Sequence, residues 1–102
     1  MRQPIIDQDI LLADDKRLIK KLWKVDKNDD YPTGLEFSYQ LIYLKDSEWI
    51  QVARIDNQLH ERKAGVHIHI LDREVKWEEM SFEKAEETII ELGESIIKNI
   101  LR

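Results

Sequence analysis

The stretch GLEFSYQLIYL, residues 34–44, places an apolar side chain at every second position. Successive side chains of a β-strand point to opposite faces of the sheet, so this alternation predicts a strand with one buried face. The YPTG turn signal overlaps its start, because Pro32 presets φ and Gly34 accepts a positive φ. Five apolar side chains are expected on the buried face: Leu35, Phe37, Tyr39, Leu41 and Tyr43.

Other segments fit strands around this one. Residues 49–56 follow the polar connection KDSE, so we expect them to form an antiparallel hairpin with the first strand. Residues 66–71, with the sequence VHIHIL, and a short segment at 75–77 are predicted as further strands. Residues 17–25 fit a helix or a strand by periodicity, and we interpret them as a strand because the segment is short and ends in a turn-rich stretch.

The segment SFEKAEETIIELGESIIKNILR predicts a helix over residues 81–101. Ser81 is a natural N-cap, and the acidic residues that follow it suit the positive end of the helix dipole. Gly93 inside the apolar stripe costs about 1 kcal/mol relative to alanine, so we expect it to allow a close approach of the helix to a strand. The stripe expected to be buried comprises Phe82, Ala85, Ile89, Leu92, Gly93, Ile96 and Ile100.

The order of these elements predicts a single α+β domain over residues 1–102. An antiparallel sheet of four to five strands, spanning residues 17–77, is followed by one C-terminal helix packed on it, and residues 1–15 form an N-terminal segment. One helix is narrow compared with such a sheet, so part of one sheet face should stay uncovered. Exposed patches of that kind commonly mark interfaces, and we expect a homodimer or a dedicated partner.

Composition excludes several classes of function. The chain has no cysteine, which rules out disulfides, thiolate metal sites and thiol nucleophiles. The formal net charge of −5 argues against a strong nonspecific nucleic-acid binder, since such affinity comes from basic side chains that neutralise phosphates. The first residues carry acids and only a short apolar run, so we expect no signal peptide, no membrane contact and a cytoplasmic location.

Two of the three histidines of the chain, His67 and His69, lie one residue apart in VHIHIL. Alternation puts both on one face, which we expect to be exposed, about 6.5–7 Å apart along the strand. Such a pair can share a metal ion, act as catalytic acid and base, or belong to an ordinary polar sheet face. A metal site lacks further ligands unless the loop that carries His60 folds back, so we expect no metal and no cofactor.

Charged side chains cluster around these histidines within sixteen residues, from Arg54 to His69. A metal-free ribonuclease needs a group that takes the 2′-hydroxyl proton, another that protonates the leaving oxygen, and a cation for the phosphorane. In the predicted roles, Arg54 stabilises phosphate, Asp56 orients a histidine or the loop, and His67 with His69 transfer protons. The candidate catalytic residues are Arg54, Asp56, His60, His67 and His69, and the candidate binding residues include Arg62 and Lys63.

Across residues 22–97 the order of short motifs resembles the TumE-type family of small prokaryotic toxin–antitoxin proteins. The motifs are LWKV, YPTGLEFSYQL, RIDN at residues 54–57 followed by His60, the His-x-His strand and the closing helix. The resemblance implies a toxin suspected of acting on RNA, which works beside a small antitoxin, usually a helix-turn-helix protein. It also adds Asn57 to the candidate binding residues.

A non-catalytic interpretation stays open beside this one. The chain could be a binding or dimerisation module whose uncovered sheet face contacts a partner. The acidic net charge and the thin helical cover favour that interpretation.

Overall fold

The computed structural model describes residues 2–73 and 75–101. Within this range, six β-strands pair in chain order into one antiparallel sheet and a helix follows them, which confirms the predicted α+β fold class. No helix in the described range has the length and apolar character needed to cross a membrane. The elements are β1 (Gln3–Ala13), β2 (Lys16–Lys24), β3 (Leu35–Lys45), β4 (Glu48–Asp56), β5 (His67–Ile70), β6 (Lys76–Trp77) and α1 (Phe82–Ile96), which continues into a π-helical turn at Ile97–Leu101.

The prediction of four to five strands is wrong at the N-terminus, because the segment 1–15 contains a long edge strand, β1. It pairs with β2 from Gln3 opposite Lys24 to Ala13 opposite Lys16. Every side chain of β1 is exposed or half-buried, so the strand lacks the one-sided apolar pattern from which strands are recognised. Backbone pairing with β2, rather than burial, accounts for this element.

Residues 17–25, which fit a helix or a strand by periodicity, form the strand β2 as predicted. β2 lies between β1 and β3, so it is hydrogen-bonded along both edges. Leu18 and Leu22 are its two buried side chains. Their spacing of four residues suits a helix face and a strand face equally, which is why periodicity alone leaves the choice open.

One face of the sheet packs against α1 and contains the hydrophobic core; we call it the covered face. The alternating apolar side chains of β3 point to it as predicted, and the Tyr39 ring stacks on Phe82 of α1 with centroids 5.1 Å apart. The buried core residues are Leu18, Leu22, Phe37, Tyr39, Leu41, Val52, Ala53, Ile55, Val66, Ile68, Ala85, Ile89, Ile96 and Ile97.

The helix α1 begins at the predicted N-cap, where the Ser81 hydroxyl accepts a hydrogen bond from the backbone N–H of Lys84 at 3.1 Å. Gly93 lets the helix approach β3, since a Cβ added there would lie 1.8 Å from Cδ2 of Leu41. The close approach predicted from this glycine is therefore confirmed.

The C-terminal end of the buried stripe differs from the prediction. The spacing predicts that Ile100 is buried, but it is 46% exposed, whereas Ile97 is 1% exposed. The π-helical turn at Ile97–Leu101 has more residues per turn than an α-helix. A periodicity of 3.6 residues therefore no longer identifies the side chains that face the sheet.

Candidate active site on the open face of the sheet

The candidate catalytic residues meet on the sheet face opposite α1, which we call the open face. β4 pairs with β5 so that Arg54 lies opposite His69 and Asp56 lies opposite His67. Residues at every second position of a strand share a face. The rings of His67 and His69 are in contact, with centroids 4.9 Å apart, so the predicted shared face of the two histidines is confirmed.

His60 joins them from the loop between β4 and β5. Its ring centroid lies 5.2 Å from that of His67 and 5.4 Å from that of His69. We call this group the histidine cluster (His60, His67 and His69), and it contains every histidine of the chain. The indole of Trp77 on β6 packs against His67 at a centroid distance of 4.7 Å and closes one side of the cluster.

A tight two-residue turn holds His60 in place. The backbones of His60 and Lys63 exchange two hydrogen bonds, with N to O distances of 3.1 and 3.0 Å. The two residues between them, Glu61 and Arg62, have positive φ angles of 52° and 68°. This left-handed pair suits a type I′ turn, which glycine and asparagine favour and other residues adopt at a cost. The loop therefore carries local strain beside the cluster, as functional sites often do.

His67 is buried, which corrects the expectation that both strand histidines lie on an exposed face; its side chain is 2% exposed. Its Nε2 lies 3.1 Å from Oδ1 of Asp56, and its Nδ1 lies 3.3 Å from the carbonyl oxygen of Gly65. Both oxygens are acceptors, so a doubly protonated ring donates to both and a neutral ring donates to one. Alternation predicts the face of a side chain but not the neighbours that cover it.

Asp56 connects His67 to Arg54. Oδ2 of Asp56 accepts a hydrogen bond from Nε of Arg54 at 2.8 Å, and Oδ1 accepts one from the backbone N–H of Gln58 at 3.0 Å. The Arg54 Nη2 donates to Oε1 of Gln58 at 2.6 Å, and Nε2 of Gln58 donates to Glu36 at 3.1 Å. The Asp56 side chain is 3% exposed and that of Arg54 is 35% exposed. The network thus pairs the buried carboxylate of Asp56 with the guanidinium of Arg54, which is partly exposed to solvent.

His69 is half-buried at the edge of the cluster. Burial, followed by the electrostatic effect of His67, lowers the pKa of His69 below its ordinary value of 6.5. His60 and Arg54 act on this pKa in the same direction, and Asp56 opposes them. A lowered pKa favours the neutral ring near pH 7, which is the form that accepts a proton.

The predicted binding residues divide between the cluster and the scaffold. The Nζ of Lys63 lies 4.3 Å from the ring centroid of Trp77, and Arg62 is exposed in the turn. The side chain of Asn57 instead bonds to the backbone of β3, accepting one hydrogen bond at 2.7 Å and donating another at 2.9 Å. Asn57 therefore fixes the start of the loop that carries His60.

Three residues of the site were not predicted from the sequence: Glu36, Gln58 and Trp77. Trp77 lies opposite His67 in the β5–β6 pairing, so a residue-level register would have found it. Glu36 is at a polar position of the alternating strand β3, which places it on the open face. Gln58 lies in the loop directly after RIDN, and only its hydrogen bonds identify its link to Arg54.

The three tryptophans of the chain form a second feature of the open face, because each ring lies beside a cation. The strand pairings put Trp23 and Trp77 on this face, and the register shift in the β3–β4 pairing brings Trp49 to it. Cations over aromatic faces are attracted by the ring quadrupole. The pairs are Arg2 over Trp23 (3.9 Å to the centroid), Arg17 over Trp49 (5.2 Å) and Lys63 over Trp77 (4.3 Å).

The histidine cluster also has the composition of a metal site. Each of the three side chains offers one ligand nitrogen, and these nitrogens lie within 4.8 Å of one another. The sequence predicts no metal on the premise that His60 stays away from β5. In the structure, the loop between β4 and β5 folds so that His60 contacts His67 and His69.

A cavity of about 660 Å³ lies near the start of α1, beside the loop between β2 and β3. Its lining combines apolar side chains from the core, including Leu22, Phe37 and Phe82, with acidic groups. The volume is in the range of small-molecule sites, about 300–1,000 Å³. The acidic residues that line it are Asp29, Asp30, Glu79 and Glu83.

No family model, curated protein or solved structure matches this chain. The resemblance to TumE-type proteins therefore stays a prediction.

Proposed function

We propose that this chain is a TumE-like toxin component that cleaves RNA without a metal ion. One observation carries the proposal: every histidine of the chain meets Arg54 and Asp56 at one place on the open face. The family resemblance adds a small helix-turn-helix antitoxin as the proposed partner. The proposal also includes a homodimer, expected from the narrow helical cover of the sheet, and a cytoplasmic location.

The proposed reaction transfers two protons, forms one phosphorus–oxygen bond and breaks another. The ribose 2′-oxygen attacks the adjacent phosphorus while a base takes its proton. The bond from phosphorus to the 5′-oxygen breaks while an acid protonates that oxygen. The products are a 2′,3′-cyclic phosphate and a free 5′-hydroxyl, so two proton-transfer groups and one cation are enough.

The geometry refines the predicted roles. His60 and His69 are half-buried and can touch RNA, whereas His67 is buried with both ring nitrogens engaged. We assign proton transfer to His60 and His69, with His69 as the base because its lowered pKa favours the neutral ring. Asp56 and His67 position the cluster, and the solvent-exposed part of Arg54 stabilises charge on the phosphorane.

The tryptophans support single-stranded RNA as the substrate. Unpaired bases stack on aromatic side chains, and adjacent cations attract the phosphates between them. The open face combines three indoles with Arg2, Arg17 and Lys63, although the chain is acidic as a whole. Arg2 and Arg17 also form ion pairs with Glu36 and Asp9, with which a phosphate would compete. The local arrangement, rather than the net charge, is what single-stranded RNA would meet.

Growth arrest on expression, measured together with cleavage of labelled single-stranded RNA in chelator, tests the proposal. We expect wild type to arrest growth and to cleave RNA, and His60→Ala and His69→Ala to lose cleavage by roughly 10²–10⁴-fold. Glu91→Ala, at an exposed position of α1, is the control and should match wild type. Unimpaired growth with wild type, or equal arrest by wild type and both histidine variants, contradicts the catalytic function.

The cavity beside α1 favours a second candidate, a non-catalytic binding module. An apolar pocket lined with carboxylates suits an apolar group flanked by basic ones. Light scattering and co-purification after co-expression with the adjacent gene product separate the candidates. A dimer or complex that persists with no RNA cleavage favours the module, and a strict monomer without a partner counts against it.

A further inference from the structure

We propose that His60, His67 and His69 bind one divalent transition-metal ion of the Zn²⁺ class, and that this ion inhibits the site. The binding stands independently of the proposed RNA cleavage. The inhibition rests on that proposed function, and the experiment below separates the two.

The spacing of the ligand nitrogens carries the binding step. A tetrahedral zinc ion with metal–nitrogen bonds of about 2.0–2.1 Å holds its nitrogens about 3.3 Å apart. The three imidazoles already lie within 4.8 Å of one another, so they need to close by roughly 1.5 Å at most. His67 and His69 are fixed by β5, whereas the half-buried side chain of His60 can rotate to supply that movement while its turn stays closed.

The surroundings of His67 match those of a metal-bound histidine. Such a residue gives one nitrogen to the ion and donates the other N–H to a carboxylate or a backbone carbonyl, which fixes the ring. His67 has both kinds of acceptor, with Asp56 at Nε2 and the Gly65 carbonyl at Nδ1. The nitrogen that binds the ion gives up its present oxygen partner, and the other nitrogen keeps its own partner, which holds the ring.

The ligand set selects the class of ion. Neutral imidazoles bind Zn²⁺ and its neighbours in the first transition row, whereas Mg²⁺ and Ca²⁺ require oxygen ligands. Three protein ligands leave one coordination position open. His60 and His69 are half-buried, so that position can face solvent and admit water or an anion.

The bound ion inhibits cleavage because two of its ligands, His60 and His69, are the proposed proton-transfer groups. A nitrogen whose lone pair is bound to the ion cannot accept a proton from a 2′-hydroxyl or deliver one to a leaving oxygen. In the proposed reaction His60 and His69 do both, so the occupied site is inactive. Zinc availability would then regulate the toxin.

Native mass spectrometry and titration calorimetry with Zn²⁺, on protein stripped with chelator, test the binding. Wild type should bind one ion per chain, and Mg²⁺ should give no signal. His60→Ala and His69→Ala should each weaken binding roughly tenfold or more, with circular dichroism confirming that they fold. Glu61→Gln, in the same turn as His60, is the matched control and should bind like wild type. No binding by wild type, or equal binding by the alanine variants, overturns the site.

RNA cleavage by the same preparations, with and without saturating Zn²⁺, tests the inhibition. We expect Zn²⁺ to lower wild-type cleavage by roughly 10²-fold or more. Zinc binding by a protein that never cleaves RNA supports the metal site and overturns the proposed function. Cleavage that Zn²⁺ does not change, or that requires Zn²⁺, overturns the inhibition.

Discussion

The two faces of the sheet are built from the same strands and differ in nearly every physical property. On the covered face, apolar side chains pack against α1 and among the described residues one buried polar side-chain atom, the Tyr39 hydroxyl, has no hydrogen bond. On the open face, charged and polar groups are linked from Glu36 through Gln58, Arg54 and Asp56. Burial of apolar side chains stabilises the covered face. On the open face, hydrogen bonds and ion pairs between the charged groups offset the cost of burying them.

Residues that stabilise the fold and residues proposed to do chemistry are therefore separated by one step along a strand. Ile68 and His69 are neighbours in β5, yet Ile68 is 4% exposed in the core and His69 belongs to the cluster. Substitutions on one face should therefore leave the other property largely unchanged. Four predictions test this separation.

The largest effects should come from Ile68→Ala and His69→Ala, which are expected to act in opposite ways. Ile68→Ala removes buried methyl groups and should lower the free energy of unfolding by about 2–5 kcal/mol. Its cleavage activity should be retained at a temperature where it is folded. His69→Ala should lose activity by about 10²–10⁴-fold with a small change in stability. Urea unfolding and RNA cleavage on both variants check this, and parallel losses of both properties would contradict the separation.

Gly93→Ala should lower the free energy of unfolding by about 1–3 kcal/mol, although alanine is the better helix former. The added Cβ would meet Leu41 of β3 and push α1 from the sheet. Thermal and urea unfolding measure the change. Glu91→Ala, on the exposed side of the same helix, is the control and should lie within about 0.5 kcal/mol of wild type. A gain in stability for Gly93→Ala would refute the close approach.

Tyr39→Phe should leave stability unchanged or raise it by about 1 kcal/mol, because it removes a buried hydroxyl that has no hydrogen-bond partner. The same burial, together with the nearby carboxylates of Glu86 and Glu83, raises the pKa of Tyr39. Urea unfolding checks the prediction, with Tyr43→Phe at a half-buried position as the control. A clear loss of stability on Tyr39→Phe would show that its hydroxyl is bonded in solution.

The smallest effect should be a pH dependence of stability from His69. Its pKa is lower in the folded chain than its ordinary value of 6.5, so the unfolded chain binds more protons below that pH. The contribution of His69 to the free energy of unfolding should therefore fall as the pH drops from above 6.5 through the lowered pKa. Urea unfolding of metal-free wild type and His69→Gln at neutral and mildly acidic pH measures it. An equal pH dependence in both proteins would contradict the shift.

The sequence predicts more of the covered face than of the open one. Alternation in residues 34–44 and the stripe around Gly93 identify the core, because burial leaves a periodic apolar pattern. β1 has no such pattern, since its side chains are exposed or half-buried. The exposure of Ile100 is not predicted because the last turn is π-helical rather than α-helical. Periodicity therefore fails where pairing or an irregular turn decides the structure.

For the site, the sequence places His67 and His69 on one face, since alternation decides the face of a strand residue. It brings Asp56 near them only through the expected pairing of the strands, which the structure supplies. It does not predict the burial of His67, which depends on Trp77 from another strand and on His60 from a loop. The return of His60 rests on a turn with two left-handed residues that are not glycine. Local propensity argues against that geometry, so tertiary contacts must support it.

Cleavage of a single-stranded RNA and of the same strand with 2′-deoxy sugars, by chelator-treated protein, decides whether the histidine cluster cleaves RNA. Cleavage by His60 and His69 uses the 2′-oxygen as nucleophile, so the RNA should give products that end in 2′,3′-cyclic phosphate. The deoxy strand should stay intact, and His69→Ala should leave both strands intact. Cleavage of the deoxy strand, or no cleavage of either strand by wild type, would contradict the assignment of the histidine cluster as an RNA-cleaving site.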